Sequence, residues 1–346
     1  MRATVHGGPD ADGVPVHDFS TNANACGPCA TVTAALSAAD PRRYPDPAAT
    51  ALRGRLAAWH QVAPERVLVA ASASEFIMRI TVAMALRRRG EGPVQVPVAA
   101  YGDYRRAAEA HGLPVQVDDG SRGVTQSPPI LAWTCEPSSP RGDAVPDLAA
   151  RIDALMPATT MVLDCAYAPL RLEGASALTA AQRDRCWQLW TPNKALGLTG
   201  VRGAYAIAPA EAPRQLMHDL HALAPSWPLG AHAEAMLQAW TAPDVQEWLV
   251  THCLPALQDW KRRQIAGCEA LGWQVEPGVA NFFCARPDVA SLGEALRRLR
   301  AHGIKLRDCG SFGMPGWVRL GVLPPASQDA LFHTWKQGGC KQRQGG

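Results

Sequence analysis

The sequence predicts an α/β fold: a large domain with a mainly parallel sheet sandwiched by helices, joined to a smaller α+β domain. Three observations carry this. Between Arg66 and Ala208, short apolar runs of strand length alternate with stretches of helical periodicity. Small or polar residues stand where each run meets the following helix, as a strand-to-helix turn requires. After Pro209 the alternation stops, and two long helical patterns precede a second group of strands. The 346 residues suffice for two domains. We divide them into an arm at 1–35, a large domain at 36–240, a small domain at 241–340 and a tail at 341–346.

The elements follow in order. Residues 1–30 are rich in Gly, Pro, Asp and Asn and predict an extended arm with turns. A helical pattern runs from Ala48 to His60, entered through Tyr44-Pro45-Asp46-Pro47, whose prolines fix an extended approach. Arg66–Ala70 is a buried-strand run, and Glu75–Arg88 is the helix after it. Val94–Val98 is a strand, and Tyr101 opens a helix ending near Gly112. Ile130–Thr134, Thr160–Asp164, Cys186–Trp190 and Ala204–Ala208 complete the strand series. Beyond it, Trp227–Trp240 and Asp244–Gly272 are predicted helices, the second long enough to join two domains. Strands are expected at Trp273–Glu276, Asn281–Ala285, Ile304–Arg307 and Trp317–Val322, with helices at Leu292–His302 and Ser327–Gln337. Gly338 onward is a loose tail.

One segment carries reactive chemistry. Trp190-Thr191-Pro192-Asn193-Lys194-Ala195-Leu196-Gly197 continues to Gly200, Arg202 and Gly203. A lysine held among small and apolar residues loses hydration of its ammonium, so its amine becomes nucleophilic and can condense with an aldehyde. Thr191 supplies a hydroxyl and Arg202 a fixed cation suited to phosphate. The glycines let the backbone turn tightly. The same residues also fit an ordinary surface loop.

The pattern Thr-x-x-Lys-x-x-Gly-x-x-Gly-x-Arg resembles the lysine segment of fold-type-I pyridoxal-phosphate enzymes. Within them it is similar to histidinol-phosphate aminotransferases and the threonine-phosphate decarboxylases of cobalamin biosynthesis. The resemblance implies pyridoxal 5'-phosphate held as a Schiff base on Lys194, with Thr191 and Arg202 on its phosphate. Asn193 departs from the usual Ser or Thr before the lysine.

Further motifs extend the resemblance from His6 to Leu320. Asn22 and Asn24, with Gly27, resemble the arm motif, although Ala25 replaces a proline; Asn22 is the implied substrate contact. Tyr-Pro-Asp-Pro implies that Tyr44 reaches the phosphate in a neighbouring subunit, hence a homodimer; alone, Tyr44 fits a packing role. Ala73, Ser74 and Glu75 match the phosphate-binding helix N-terminus, where free N–H groups favour an anion, but Ser72 replaces a glycine. Tyr101, or alternatively Tyr104, matches the aromatic ring over the cofactor. Cys135–Gly142 keeps two prolines and the glycine of its motif, with Ser139 and Glu136 replacing asparagines.

Asp164-Cys165-Ala166-Tyr167 resembles Asp-Glu-Ala-Tyr. A carboxylate at the C-terminal end of such a strand lies where ligands bind. The resemblance implies that Asp164 keeps the cofactor's ring nitrogen protonated and that Tyr167 donates to a ring oxygen. Arg319, on a strand with apolar neighbours, suits a substrate carboxylate. Arg307 matches a second anion contact, or it pairs with an acid such as Asp308. Asp308-Cys309-Gly310-Ser311-Phe312-Gly313 looks closer to the decarboxylases.

Composition narrows the alternatives. With 47% hydrophobic and 19% charged residues and a net charge of +3, the chain has an ordinary globular balance that does not suggest nucleic acid. Arg87-Arg88-Arg89 suits a helix end. No apolar run approaches the ~18–20 residues that span a bilayer, and no signal-peptide pattern opens the chain, so a cytoplasmic enzyme without membrane partners is expected. Ten cysteines are scattered. Cys26-Gly-Pro-Cys29 looks like a redox tetrapeptide but lacks a strand before it, and no zinc-like spacing occurs. The expected function is transamination of an amino acid or phosphorylated amine. Decarboxylation of O-phospho-threonine is the alternative, and a cofactor-binding protein altered in catalysis is the third.

Overall fold

Alternating side chains decide how the central strands are buried. In β2 (Val67–Ala70), Val67 and Val69 point into one apolar cluster, while Leu68 and Ala70 point into another. In β8 (Ala204–Ile207), Tyr205 and Ile207 share the first cluster, and Ala204 and Ala206 share the second. Both faces are therefore covered, which is why the runs read as continuously apolar. The computed structural model describes residues 6–87, 91–118 and 127–338. Arg88, Arg89, Cys340 and the tail at 341–346 lie outside the described residues.

The chain opens with β1 (His17–Asp18), α1 (Ala30–Ala38) and α2 (Thr50–His60), then β2. It continues through α3 (Ala73–Arg87), β3 (Val94–Pro97), α4 (Gly102–Ala110), β4 (Val115–Asp118) and β5 (Leu131–Cys135). α5 (Leu148–Asp153), β6 (Thr160–Asp164), α6 (Ala180–Arg183), β7 (Trp187–Trp190) and β8 follow. One 7-stranded sheet results, in the order β2-β8-β7-β6-β5-β3-β4. Only β8 runs antiparallel to its neighbours. β6 occupies the centre, and the parallel strands β5, β6 and β7 end together at Cys135, Asp164 and Trp190.

β4 and α5, together with α7 (Arg214–Ala222), add to the sequence expectations. β4 sits at the sheet edge with half-exposed residues, and α7 buries only Leu216 and Leu220, so neither has a wide apolar signature. α8 (Ala231–Trp240) begins four residues later than expected, after Pro228 and Gly230. The long helix expected at Asp244–Gly272 is divided. α9 (Pro243–Trp248) passes through a π-type turn at Leu249–Cys253 into α10 (Leu254–Ala270), whose second residue is Pro255. A proline inside the run removes one helix hydrogen bond. α10 places Leu257 in the cluster against the large sheet and Cys268 in the one behind the second sheet.

That second sheet has four antiparallel strands in the order β12-β13-β10-β9. They are β9 (Gln274–Glu276), β10 (Phe282–Arg286), β12 (Arg307–Asp308) and β13 (Val318–Gly321), with α11 (Leu292–Ala301), β11 (Ile304–Lys305) and α12 (Pro325–Gly338) around them. The single strand expected at Ile304–Arg307 divides at Leu306. β11 pairs with β1 of the arm, and β12 pairs with β13. Phe19 of the arm is buried among Trp273, Phe283, Leu320 and Trp335, so the arm packs into the second sheet's core. Among the described residues, no helix is long and apolar enough to cross a membrane.

Candidate active site

Asp164 ends β6 and is nearly excluded from solvent. Burial pushes its carboxyl above the usual carboxylate range. The Tyr104 hydroxyl, the Lys194 charge and the Ala166 N–H pull it back. The geometry agrees. Tyr104 donates to Oδ2 at 2.6 Å, and the Ala166 N–H donates to Oδ1 at 2.9 Å. The fully buried Tyr104 ring lies flat on Trp133 of β5, with centroids 4.5 Å apart and planes 8° apart. Sequence reading offered Tyr104 only as a second choice for a stacking ring. The signal for its position is its spacing of three from Tyr101, which stands at the N-cap of α4 and sets the two rings about one turn apart.

Lys194 lies in a coil of turns between β7 and β8, not in a helix or strand. Its Nζ sits 5.0 Å from the centre of the Tyr167 ring. The arm fixes this coil: the Asn24 N–H donates to the Lys194 carbonyl at 2.8 Å, and Asn24 Nδ2 donates to the Ala195 carbonyl at 2.9 Å. Gly197 has φ +68°, and a Cβ there would stand 3.0 Å from the Asn24 carbonyl oxygen. Only glycine lets the arm approach so closely. Gly200, by contrast, faces open space. Asn193 ties the coil together. It accepts from the Thr191 hydroxyl at 2.8 Å and donates to the Val201 carbonyl at 3.3 Å.

The residues expected at the phosphate spread around this centre. Ser72 caps α3 by accepting the Glu75 N–H at 3.1 Å, so its hydroxyl does the work of a cap where a glycine was expected. Ala73 and Ser74 form the first turn, whose N–H groups carry the positive end of the helix dipole. Ser74 Oγ lies 3.1 Å from the Tyr101 hydroxyl, and the Tyr101 ring meets Tyr104 edge-on at 5.8 Å. Thr191 is buried with its hydroxyl engaged by Asn193, and Arg202 is exposed. Tyr44 is 78% exposed and stacks on Trp227 at 4.5 Å.

Arg307 and Arg319 come together as direct cross-strand partners on β12 and β13, both buried. Arg307 donates to the Ser311 hydroxyl at 2.7 Å and to the Asp308 carbonyl at 2.5 Å. Burial, then the Arg319 charge, lowers its pKa. Arg319 donates to the Ser20 carbonyl at 3.0 Å, and its Nε is buried without a hydrogen bond. Asn22 bridges this side to Tyr167, donating to the phenol oxygen at 3.3 Å, and its Oδ1 is also buried and unbonded. Tyr167 packs edge-on against Phe282 at 4.7 Å, and Phe282 lies beneath Arg319.

Ser139 is buried in the loop after β5. Glu136, an unusual residue there, is bound on both oxygens: Arg171 pairs with Oε1, and the Val145 N–H donates to Oε2 at 2.6 Å. This pair joins the Ser139 loop to the segment after Tyr167. Sequence reading missed it because thirty-five positions separate the partners.

The constellation fits a pyridine aldehyde bearing an anion. A buried acid lies near a lysine, an aromatic ring flanks them, a helix N-terminus lies beside them, and a buried donor and a buried acceptor, Arg319 Nε and Asn22 Oδ1, remain unbonded. The comparisons agree. The model of the family described as "Aminotransferase class I and II" matches residues 14–333. Histidinol-phosphate aminotransferase 1 of Bradyrhizobium diazoefficiens is 30% identical over 86% of this chain and 85% of its own. The L-threonine-O-3-phosphate decarboxylase of Porphyromonas gingivalis superposes with a TM-score of 0.78 at 22% identity, covering 93% of this chain and 99% of its own. Histidinol-phosphate aminotransferase of Sinorhizobium meliloti, solved with pyridoxal-5'-phosphate, gives 0.73 at 20% identity, covering 92% and 89%. By family match and by fold, the chain belongs to the class I and II aminotransferases, pyridoxal-phosphate enzymes of fold type I.

Proposed function

We propose that the chain is an aminotransferase of the histidinol-phosphate type, acting on an amine that also carries a phosphate or carboxylate. The nearness of Lys194 to the buried Asp164 at the strand ends, where the lysine charge acts on the carboxyl, supports this reading. Pyridoxal phosphate, when bound, supplies an aldehyde carbon and a protonated ring that withdraws electrons from the substrate carbon.

The chain's residues divide the remaining work. Lys194 would hold the aldehyde carbon, and its amine is the group that would take a proton from the substrate carbon and return it. Asp164 would hold the proton at the ring nitrogen. Tyr167 and Ser139 would donate to the ring oxygen, and Tyr101 would cover the ring. The α3 N-terminus, with Ala73 and Ser74, binds the phosphate together with Thr191 and Arg202. Asn22, Arg307 and Arg319 hold the substrate's anionic groups, since guanidinium forks match carboxylate and phosphate oxygens.

The exposure of Tyr44, which the family resemblance assigns to a neighbouring subunit's phosphate, supports a homodimer in which each Tyr44 serves its partner. The free cysteines of the described residues suit a reducing compartment, the cytoplasm. The division into arm, large domain and small domain at 35 and 240 remains our reading of how the two sheets are carried.

Decarboxylation of O-phospho-threonine is the second reading, favoured by the Asp308–Gly313 segment, where Ser311 meets Arg307. Histidinol phosphate with 2-oxoglutarate, and O-phospho-threonine alone, separate the two. Glutamate formation with the first supports transamination. Carbon dioxide release from the second, at the rate of its loss, would replace that conclusion.

A further inference from the structure

We propose that Tyr104 is a positioning residue that keeps the Asp164 carboxylate turned and charged toward the cofactor's ring nitrogen, so that the shared proton stays on the ring. This rests on the reading of Asp164 given above and adds a residue to it. The observation is the buried 2.6 Å bond from the Tyr104 hydroxyl to Asp164 Oδ2, on a ring that cannot swing because it lies flat on Trp133.

The physical argument concerns a carboxylate stripped of water. Burial disfavours its charge, and each donated hydrogen bond restores part of that loss. Facing Asp164 are Tyr104 and Tyr101 from α4, Cys135 from β5, its neighbour Cys165, and Lys194 from the coil after β7. Burial holds both tyrosines and both thiols well above their usual titration ranges, so they stay neutral. Of these neutral groups, Tyr104 is the one whose donated bond to the carboxylate is defined. It acts as a donor that neither titrates nor moves. A carboxylate receiving this bond is a weaker base than the same carboxylate without it. The proton shared with a pyridine nitrogen therefore lies nearer the ring. The hydroxyl touches neither substrate nor reacting carbon and acts through Asp164 alone.

Tyr104→Phe removes the hydroxyl and keeps the ring on Trp133. The readout is the ring-nitrogen resonance of bound pyridoxal phosphate labelled with nitrogen-15, followed against pH. The wild type is expected to show a protonated ring nitrogen. In Tyr104→Phe the resonance at a fixed neutral pH should move toward that of an unprotonated pyridine, as the share of the proton held by Asp164 rises about tenfold, the equivalent of one pKa unit. The kcat should fall about tenfold while KM holds. Incorporating 3-fluorotyrosine at position 104, a stronger donor of nearly the same shape, should move the resonance the opposite way, toward a more fully protonated ring, which a packing defect would not do. In an Asp164→Asn background, Tyr104→Phe should leave the resonance unmoved. A wild type that binds the cofactor with a protonated ring, and variants whose ring-nitrogen resonances are unchanged, would overturn the proposal and leave the function intact. A wild type that does not bind pyridoxal phosphate would overturn both.

Discussion

The two sides of the pocket differ in how their polar atoms are satisfied. On the Asp164 side both carboxylate oxygens hold short hydrogen bonds, Tyr104 is locked by stacking, and the arm grips the coil around Lys194. On the arginine side, Arg319 Nε and Asn22 Oδ1 are buried with no partner. An unmade buried hydrogen bond costs about 1–3 kcal/mol, and a protein keeps one where a ligand will complete it. The first side is built around a group that stays, and the second around one that comes and goes.

Breaking the first side should stop turnover. Lys194→Ala is expected to lower kcat by ~10²–10⁴-fold or more, since it removes the proton-transfer group as well as the covalent anchor. Circular dichroism should show the fold retained, because Lys194 is no part of the apolar clusters. Breaking the second side should act on substrate. Arg319→Ala should weaken kcat/KM for anionic substrates by ~2–5 kcal/mol while leaving cofactor affinity unchanged. A change in cofactor affinity alone would erase the contrast between the sides.

The next effect concerns the frame between them. The side chains of Arg171 and Glu136 are 10% and 8% exposed. Arg171→Ala leaves the Glu136 carboxylate buried without its cation and should cost about 3–5 kcal/mol of stability, read from urea denaturation. Replacing both together should cost less than Arg171→Ala alone.

The smallest effect lies behind the sheet. His60 accepts or donates a 2.8 Å bond with the Tyr205 hydroxyl, and burial lowers its pKa to about 4. A histidine depressed in the folded state binds its proton more readily when unfolded. Its stabilising contribution is thus full above pH 6.5 and is lost as pH falls toward about 4. His60→Phe should remove roughly 3 kcal/mol of that acid sensitivity, measured as the pH dependence of Tm between those limits.

How much of this was legible follows from the distance between partners. Asp164 and Lys194 announce themselves locally, one ending an apolar run and the other sitting among glycines and small residues. Their meeting then follows from parallel strands ending together. The Tyr104–Asp164 bond joins residues 60 positions apart, and Glu136–Arg171 joins 35. Both depend on how α4 and the loop after β5 lie over the sheet, which no local pattern encodes. The break of the long helix near Pro255 was visible as a proline, yet the apolar periodicity around it masked the π-type turn. The division of the strand expected at Ile304–Arg307 was hidden because both pieces, β11 and β12, are two residues long.

The most direct test of the central claim is chemical. The protein as purified with pyridoxal phosphate should be yellow, and borohydride should fix the cofactor permanently to one peptide, the one carrying Lys194. A label on another lysine, or no label after reduction of a coloured protein, would contradict the account.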